Sequence, residues 1–200
     1  EYEVITIKGK QVGRVNGLAV MGAENQLSGI ILPIEAAVTP GGERKEVIAT
    51  GKLGDIAKEA IINVSAIVMK YFGMDIRKKH DVYVQFLQTY EGVEGDSASV
   101  AVATAIISAV KNVPIYQHVA MTGSLSVRGE VLPVGGVSSK VEAAIAAGVK
   151  KVFVPKSNMQ DIVIDKKKLS RIELVPVEHI AEVLRGAMDW TGKKDVLKQI

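Results

Sequence analysis

Two hundred residues with 48% hydrophobic side chains are enough to bury one sizeable core, so we expect a single domain. The lack of cysteine excludes disulfides, a thiol nucleophile and zinc–thiolate sites, and no run approaches the ~20 apolar residues of a membrane-spanning helix. A net charge of +3, carried partly by short lysine clusters without interleaved aromatic residues, argues against a nucleic-acid footprint. Because the chain starts at Glu1 within a strand-like pattern, we expect it to be a piece of a longer protein.

The first half of the chain predicts a sheet and one long helix. Gly13 and the Asn16–Gly17 dipeptide indicate a hairpin turn, and Pro33 marks its strand as an edge or irregular strand. Apolar residues at helical spacing predict a helix over Asp55–Phe72, with Gly73 as its stop. The predicted strands are Tyr2–Ile7, Gln11–Val20, Gly29–Val38, Glu46–Thr50 and His80–Leu87.

The second half predicts a buried helix over Ser97–Lys111 and then short strands that alternate with helices. Lys193–Ile200 is typical of a polar tail that frays or packs against a partner. The remaining predicted elements are strands at Val119–Met121, Leu125–Leu132, Val152–Val154 and Ile172–Val175, helices at Ser139–Ala147 and Glu178–Asp189, and a short helix containing Asp161. The pattern as a whole predicts an α+β fold, a single domain of mixed irregular sheet with packed helices.

Ser97 stands where an acidic, glycine-containing loop becomes the buried helix. Backbone N–H groups at the start of a helix are unpaired and carry partial positive charge, so a serine there can be a nucleophile with an oxyanion site beside it. Asp and Ser are also the preferred N-cap residues, and capping is the commoner use of this pair. Both interpretations stay open on this stretch alone.

Lys140 follows a second unusual loop, which begins at Pro133 and contains paired glycines. Ser139 and Glu142 have the spacing of a capping box, which predicts that a helix begins at Ser139 and places Lys140 in its first turn. A cation is disfavoured at a helix N-terminus. The lysine therefore either extends its ammonium to water or points inward, where burial and the helix dipole favour the neutral amine, a general base that can activate a serine.

Three further side chains bear on this hypothesis. Thr122, at the end of a predicted strand, has a hydroxyl that can hold a neutral amine, although a turn threonine is the ordinary alternative. Asp96 and Glu94 argue against a neutral Lys140, because a carboxylate beside the amine would keep it charged. The site would then be gated, active only when the loop moves.

Other catalytic and binding motifs are missing from the sequence. There is no Gly-x-x-x-x-Gly-Lys-Ser/Thr phosphate loop and no Gly-x-Gly-x-x-Gly fingerprint. The histidines His80, His118 and His179 show no metal-ligand spacing and no distinctive context, so a Ser-His-Asp triad has no support.

Two separated loops resemble the proteolytic domain of Lon proteases. They are Gly95-Asp96-Ser97-Ala98-Ser99 and the run Met121–Val137 followed by Lys140, and Gly13–Val20 is similar to the start of that domain. The resemblance covers nearly the whole chain. The Gly-Asp-Ser-Ala-Ser serine loop is similar to the archaeal, membrane-associated (B-type) variant and departs from the bacterial Lys-Asp-Gly-Pro-Ser-Ala-Gly.

The resemblance implies a Lon proteolytic-domain fold and a serine peptidase that hydrolyses peptide bonds of unfolded or damaged polypeptides. By position, Ser97 matches the nucleophile, Lys140 the lysine base and Thr122 the threonine that hydrogen-bonds this lysine. Asp96 and Glu94 match acidic positions with a gating or orienting role. No cofactor or metal is implied for this domain.

The resemblance also implies a longer protein. An AAA+ ATPase module that uses ATP and Mg²⁺ would precede this domain, the assembly would be a homo-hexamer, and a membrane anchor in the missing part would hold a cytoplasmic proteolytic domain. Two alternatives remain: a catalytically silent Lon-like assembly module and, less favoured, a basic nucleic-acid-binding domain suggested by the pI of 9.0.

Overall fold

The computed structural model describes residues 5–22, 27–41, 48–50, 54–88, 93–94 and 96–200, and the side chains of 48–50, 54, 93, 94 and 96 lie outside this description. The described strands are β1 (Lys10–Gln11), β2 (Arg14–Met21), β3 (Ser28–Pro40), β4 (Ile48–Thr50), β5 (His80–Phe86), β6 (Val93–Glu94), β7 (Ile115–Tyr116), β8 (Val119–Met121), β9 (Ser124–Leu125), β10 (Val131–Leu132), β11 (Lys151–Pro155) and β12 (Glu173–Val177). The described helices are α1 (Gly54–Phe72), α2 (Ile76–Lys79), α3 (Ser99–Lys111), α4 (Val137–Ala147), α5 (Lys166–Leu169), α6 (Ile180–Ala187) and α7 (Lys194–Leu197), with 3-10 helices at Asp96–Ala98 and Lys156–Asp161.

A mixed sheet of eight strands organises the described part of the chain. Its order is β12-β11-β8-β2-β3-β5-β4, and β6 pairs with β2 beside this path. The half from β2 to β12 is parallel, whereas β3 runs antiparallel to both of its neighbours, β2 and β5. Two short antiparallel pairs, β1 with β7 and β9 with β10, lie outside the sheet. The prediction of an α+β domain with a mixed sheet is confirmed.

The sheet separates two hydrophobic clusters because successive strand residues point to opposite faces. On β2, Val15 and Ala19 join the cluster that contains the buried residues of α1, α3 and α6, whereas Leu18 joins the cluster built with α4. Helix α3 is buried from Ser99 through Ser108, as its apolar sequence predicts. The helices that carry the two loops singled out by sequence, α3 and α4, therefore belong to different clusters.

The hairpin predicted at Asn16–Gly17 is wrong, because both residues lie inside β2. The chain turns earlier, at Val12–Gly13. Asn16 is tolerated in a buried strand because its amide donates to two backbone carbonyls, those of Thr6 and Gln117, each at 2.9 Å.

The edge position predicted from Pro33 is also wrong, because β3 lies between β2 and β5. Pro33 O accepts the Leu87 N–H at 2.9 Å, just beyond Phe86, where β5 ends. A strand residue turns its nitrogen and its carbonyl toward the same neighbour, so the missing N–H of Pro33 falls at the end of the β5 ladder and removes no interior hydrogen bond.

The C-terminal tail does not fray. Residues Lys194–Leu197 form α7, and Val196, Leu197 and Ile200 pack against the larger hydrophobic cluster. Arg185 Nη2 donates to the backbone oxygen of Ile200 at 3.0 Å, which ties the tail to α6. The polar residues of this segment suggested a free tail, but its three apolar side chains pack it against the domain.

Most other predicted elements are confirmed with small shifts of their bounds. The helix predicted at Asp55–Phe72 is α1, and the strand predicted at Leu125–Leu132 is the β9–β10 hairpin. Residues 5–7 form no strand, and the rest of the predicted strand Tyr2–Ile7 lies outside the described residues, as does part of Glu46–Thr50. Within the described ranges, no helix is both long and apolar enough to cross a membrane.

Candidate active site

Ser97 occupies the middle of the 3-10 helix that precedes α3, and its side chain is 7% exposed. Backbone hydrogen bonds fix this turn: Gly123 N donates to Ser97 O at 3.1 Å, and Val100 N donates to Gly123 O at 3.2 Å. Ser99 Oγ accepts from Leu125 N at 2.8 Å. The start of α3 is thus joined to the segment between β8 and β9.

The N-cap interpretation of Ser97 is wrong. The N-cap position of α3 is Ala98, which has no capping side chain. The Ser97 hydroxyl instead contacts Lys140, as described below.

Lys140 is 1% exposed, so the interpretation that its ammonium extends to water is wrong. Helix α4 begins at Val137, with Gly136 as its N-cap, so the capping box predicted from Ser139 is wrong as well. Lys140 lies on the same helical face as Val137, Val141 and Ala144, all of which are buried. Helical spacing thus turns the lysine inward with its apolar neighbours, a signal that was readable in the sequence.

The Lys140 amine and the Ser97 hydroxyl meet inside the protein. Nζ lies 2.8 Å from Oγ, within hydrogen-bonding distance, although the two residues are 43 positions apart in the chain. Burial favours the neutral form of an amine. A neutral amine at this distance can accept the hydroxyl proton and leave an oxygen nucleophile.

Thr122 lies directly after β8, and its side chain is 1% exposed. Its backbone N–H donates to Phe153 O at 3.1 Å. Its hydroxyl makes no hydrogen bond with any residue of the described ranges, so the predicted hydrogen bond to Lys140 is not formed in this structure.

Glu94 and Asp96 flank the serine in sequence. Glu94 ends β6, where it pairs with Val20 of β2, and Asp96 opens the 3-10 helix that holds Ser97. Their side chains lie outside the described part of the chain, so the gating or orienting role assigned to these carboxylates stays a prediction.

A cavity of about 320 Å³ opens onto the serine and the lysine. Besides Ser97 and Lys140, its lining residues come from the end of β2, the segment before β3, the start of β9 and the loop before α4: Val20, Leu27, Ser124, Pro133, Val134, Gly135 and Gly136. A larger cavity of about 430 Å³ around Arg14, Glu35 and Tyr83 contains no serine or lysine. The cavity that holds the Ser97–Lys140 contact is therefore the candidate active site.

Sequence reasoning missed Asn158, which is 3% exposed and hydrogen-bonds the loop that lines the cavity. Its only sequence signal is a polar residue in a short turn after β11, which many surface asparagines share.

The histidines take no part in this site. His179 is the N-cap of α6, where its side chain accepts from Ala181 N. Neither it nor His80 nor His118 lines the cavity or hydrogen-bonds Ser97. Within the described ranges, no group of three His, Asp or Glu side chains is arranged to hold a metal ion.

Comparison with known proteins identifies the family of this chain. The model of the Lon protease (S16) C-terminal proteolytic domain matches residues 2–189. The chain is 58% identical to an archaeal Lon protease of Pyrococcus abyssi, covering all of this chain and 20% of that protein. It is 58% identical to one of Thermococcus kodakarensis, covering all of this chain and 31% of the relative. It is 37% identical to one of Methanocaldococcus jannaschii over 92% of this chain and 28% of the relative.

The chain therefore spans between a fifth and a third of the length of these relatives. Its fold, its buried serine–lysine pair and a match that covers nearly every residue lead to one conclusion: the chain belongs to the family of Lon protease C-terminal proteolytic domains.

Proposed function

We propose that this domain hydrolyses peptide bonds with Ser97 as the nucleophile and Lys140 as the general base. The observation that carries the proposal is the buried 2.8 Å contact between Ser97 Oγ and Lys140 Nζ at the edge of a cavity. A serine hydroxyl is a weak nucleophile on its own, and an adjacent base is the usual means of activating it.

The reaction begins when neutral Lys140 accepts the proton of Ser97 as Oγ attacks the scissile carbonyl carbon. The carbonyl π-electrons move onto oxygen to form a tetrahedral oxyanion. The ammonium of Lys140 then protonates the leaving nitrogen, the C–N bond breaks, and an acyl ester remains on Ser97. Water attacks this ester with the same lysine as base, which releases the acid and restores the hydroxyl.

Backbone N–H groups around Ser97, at the start of α3, would stabilise the oxyanion. The first N–H groups of a helix have no intrahelical partner, and Ser97 lies just before α3. One such donor typically contributes on the order of 3 kcal/mol to the transition state.

Thr122, Asp96 and Glu94 have supporting roles in this proposal. Thr122 would hold the lysine amine during turnover: its hydroxyl is buried, and the next residue, Gly123, donates its N–H to Ser97 O. A carboxylate of Asp96 or Glu94 near the amine would stabilise the ammonium, so movement of that loop would switch the site on or off.

The longer protein would supply the substrate. The relatives are named Lon proteases and are three to five times as long as this chain. We propose that an AAA+ module outside these residues unfolds polypeptides with ATP and Mg²⁺ and delivers them to a homo-hexamer of this domain, anchored to the membrane through another part of the protein. The chain has no phosphate-binding loop, so it does not fit ATP and no catalytic step here depends on it.

Two substitutions test the proposed activity. Ser97→Ala and Lys140→Met should each abolish cleavage of an unfolded protein while the thermal unfolding transition persists. Lys168→Met removes an exposed lysine of α5 and serves as the control. Retention of wild-type cleavage by Lys140→Met would contradict the dyad, and complete inactivity of the wild-type longer protein would favour a silent assembly module.

A further inference from the structure

We propose that Asn158 is a positioning residue that holds the cavity-lining loop 133–136 ready for substrate, an inference that rests on the proposed peptidase function. Asn158 lies in the 3-10 helix Lys156–Asp161, after β11, and does not line the cavity itself. It acts on substrate only through the backbone of Val134.

The amide of Asn158 engages both backbone groups of Val134. Oδ1 accepts from Val134 N at 2.8 Å, and Nδ2 donates to Val134 O at 2.9 Å. This is the pair of contacts that a neighbouring strand would supply, although the loop has left β10 and belongs to no strand at this point. Nδ2 also donates to Asp161 Oδ2 at 3.0 Å, which fixes the orientation of the amide.

Residues 158–163 also hold the chain after Gly135 and Gly136, at the start of α4. Ser138, in the first turn of α4, accepts from Val163 N at 2.9 Å and donates to Asp161 O at 3.2 Å. Residues 158–163 thus hold the loop at Val134 and at Ser138, on either side of Gly135 and Gly136.

The two glycines need this external support. Gly135 has open space where a side chain would be, so its backbone is bare toward the cavity that it lines. Glycine gains the most conformational freedom when it is not held, and a mobile loop must be ordered each time substrate binds. Because Asn158 fixes Val134 in the folded protein, the conformational entropy of the loop is lost on folding, and ordering the loop does not weaken substrate binding.

The lysine has its own support, so the effect of Asn158 should fall on binding more than on chemistry. Lys140 is carried by α4, whose residues Val137, Val141 and Ala144 pack into the smaller hydrophobic cluster. We expect Asn158→Ala to raise KM about tenfold with a smaller change in kcat, which corresponds to ~1.4 kcal/mol of binding free energy.

The experiment combines hydrogen exchange with kinetics. Exchange of the Val134 amide is followed by NMR on the 200-residue chain, and KM and kcat for an unfolded-protein substrate are measured on the longer protein. The variants are Asn158→Ala, Asn158→Asp, which replaces the donor to Val134 O and Asp161 with a carboxylate oxygen, and Gln160→Ala, an exposed change in the same 3-10 helix.

Asn158→Ala should accelerate Val134 exchange at least tenfold and raise KM, Asn158→Asp should do the same because its carboxylate is repelled by Asp161 and Val134 O, and Gln160→Ala should match the wild type. Unchanged Val134 exchange would overturn the proposal, as would a wild-type KM with only a lower melting temperature. If Asn158→Ala does not fold, Asn158→Asp decides by the same two criteria. Hydrogen exchange does not depend on peptide cleavage. Full activity of Ser97→Ala would therefore contradict the proposed peptidase function, whereas unchanged Val134 exchange in Asn158→Ala would contradict only the role of Asn158.

Discussion

At Gly29 the backbone of β3 lies close to the start of the lysine-bearing helix α4, and Gly29→Ala should inactivate the site although Gly29 does not line the cavity. Gly29 lies in β3, and a Cβ there would be 2.0 Å from Ser139 O and 2.8 Å from Lys140 N. Real Cβ contacts essentially never fall below 3.0 Å, so the start of α4 must move away by about 1 Å. Because these contacts are backbone atoms, no side-chain rotation can relieve them.

The movement acts directly on the catalytic contact. Lys140 travels with α4, so a shift of this size would lengthen the 2.8 Å contact to Ser97 Oγ beyond a hydrogen bond. A misplacement of ~1 Å can reduce the rate on the order of 100-fold. Overpacking also lowers the free energy of unfolding by about 1–3 kcal/mol, so both quantities must be measured.

The assay is kcat per folded molecule, with the folded fraction taken from thermal unfolding. Gly186→Ala is the matched control, because its Cβ would meet Phe153 Cζ at 2.8 Å in a part of the core away from the cavity. It should cost stability but leave kcat unchanged. Wild-type kcat in a folded Gly29→Ala protein would show that the position of α4 does not control the contact between Lys140 and Ser97.

Three further predictions concern single groups. Thr122→Val removes a buried hydroxyl that has no hydrogen bond in the described part of the chain, so the melting temperature should not fall. If the hydroxyl supports the Lys140 amine during turnover, kcat should drop at least several-fold. An unchanged kcat would remove Thr122 from the mechanism. The cleavage rate should rise with pH through one basic limb as the neutral fraction of Lys140 grows, whereas a limb near the ordinary histidine value of ~6.5 would indicate a triad. Hydrogen bonds from Lys10 and Thr191 hold the pKa of the Asp189 carboxyl well below its usual range. The ionised carboxylate therefore stabilises the fold above the unfolded-state pKa of ~3.9, and this stabilisation is lost as the pH falls through the folded-state pKa. Lys10→Met should raise the Asp189 pKa in an NMR titration, and an unchanged pKa would contradict this prediction.

The parts of the fold that follow from periodicity were predictable from the sequence. Helix α1 and the buried helix α3 carry their apolar patterns over several turns, so local spacing and burial agree. Lys140 was recognised because a cation near a helix start conflicts with the dipole, and the structure shows that the conflict coincides with burial.

The errors arose where long-range contacts override a local signal. Asn16–Gly17 has the sequence of a turn, but Asn16 is accommodated inside β2 because its amide N–H groups donate to the backbone carbonyls of Thr6 and Gln117. Pro33 suggested an edge, but only the pairing with β5 reveals that its missing N–H falls where that ladder ends. The role of Asn158 depends on Val134, which is 24 residues away, and no local pattern encodes that contact.

The most direct test of the Ser97–Lys140 dyad is the rate at which a serine-directed phosphonate labels Ser97, measured by mass spectrometry on the folded wild type and on folded Lys140→Met. Phosphonylation needs only the nucleophile and its base, so it is independent of unfolding and of substrate delivery. We expect specific labelling of Ser97 in the wild type and a loss of about 100-fold or more in the variant. Equal labelling of the two proteins, or labelling at another serine, would contradict it.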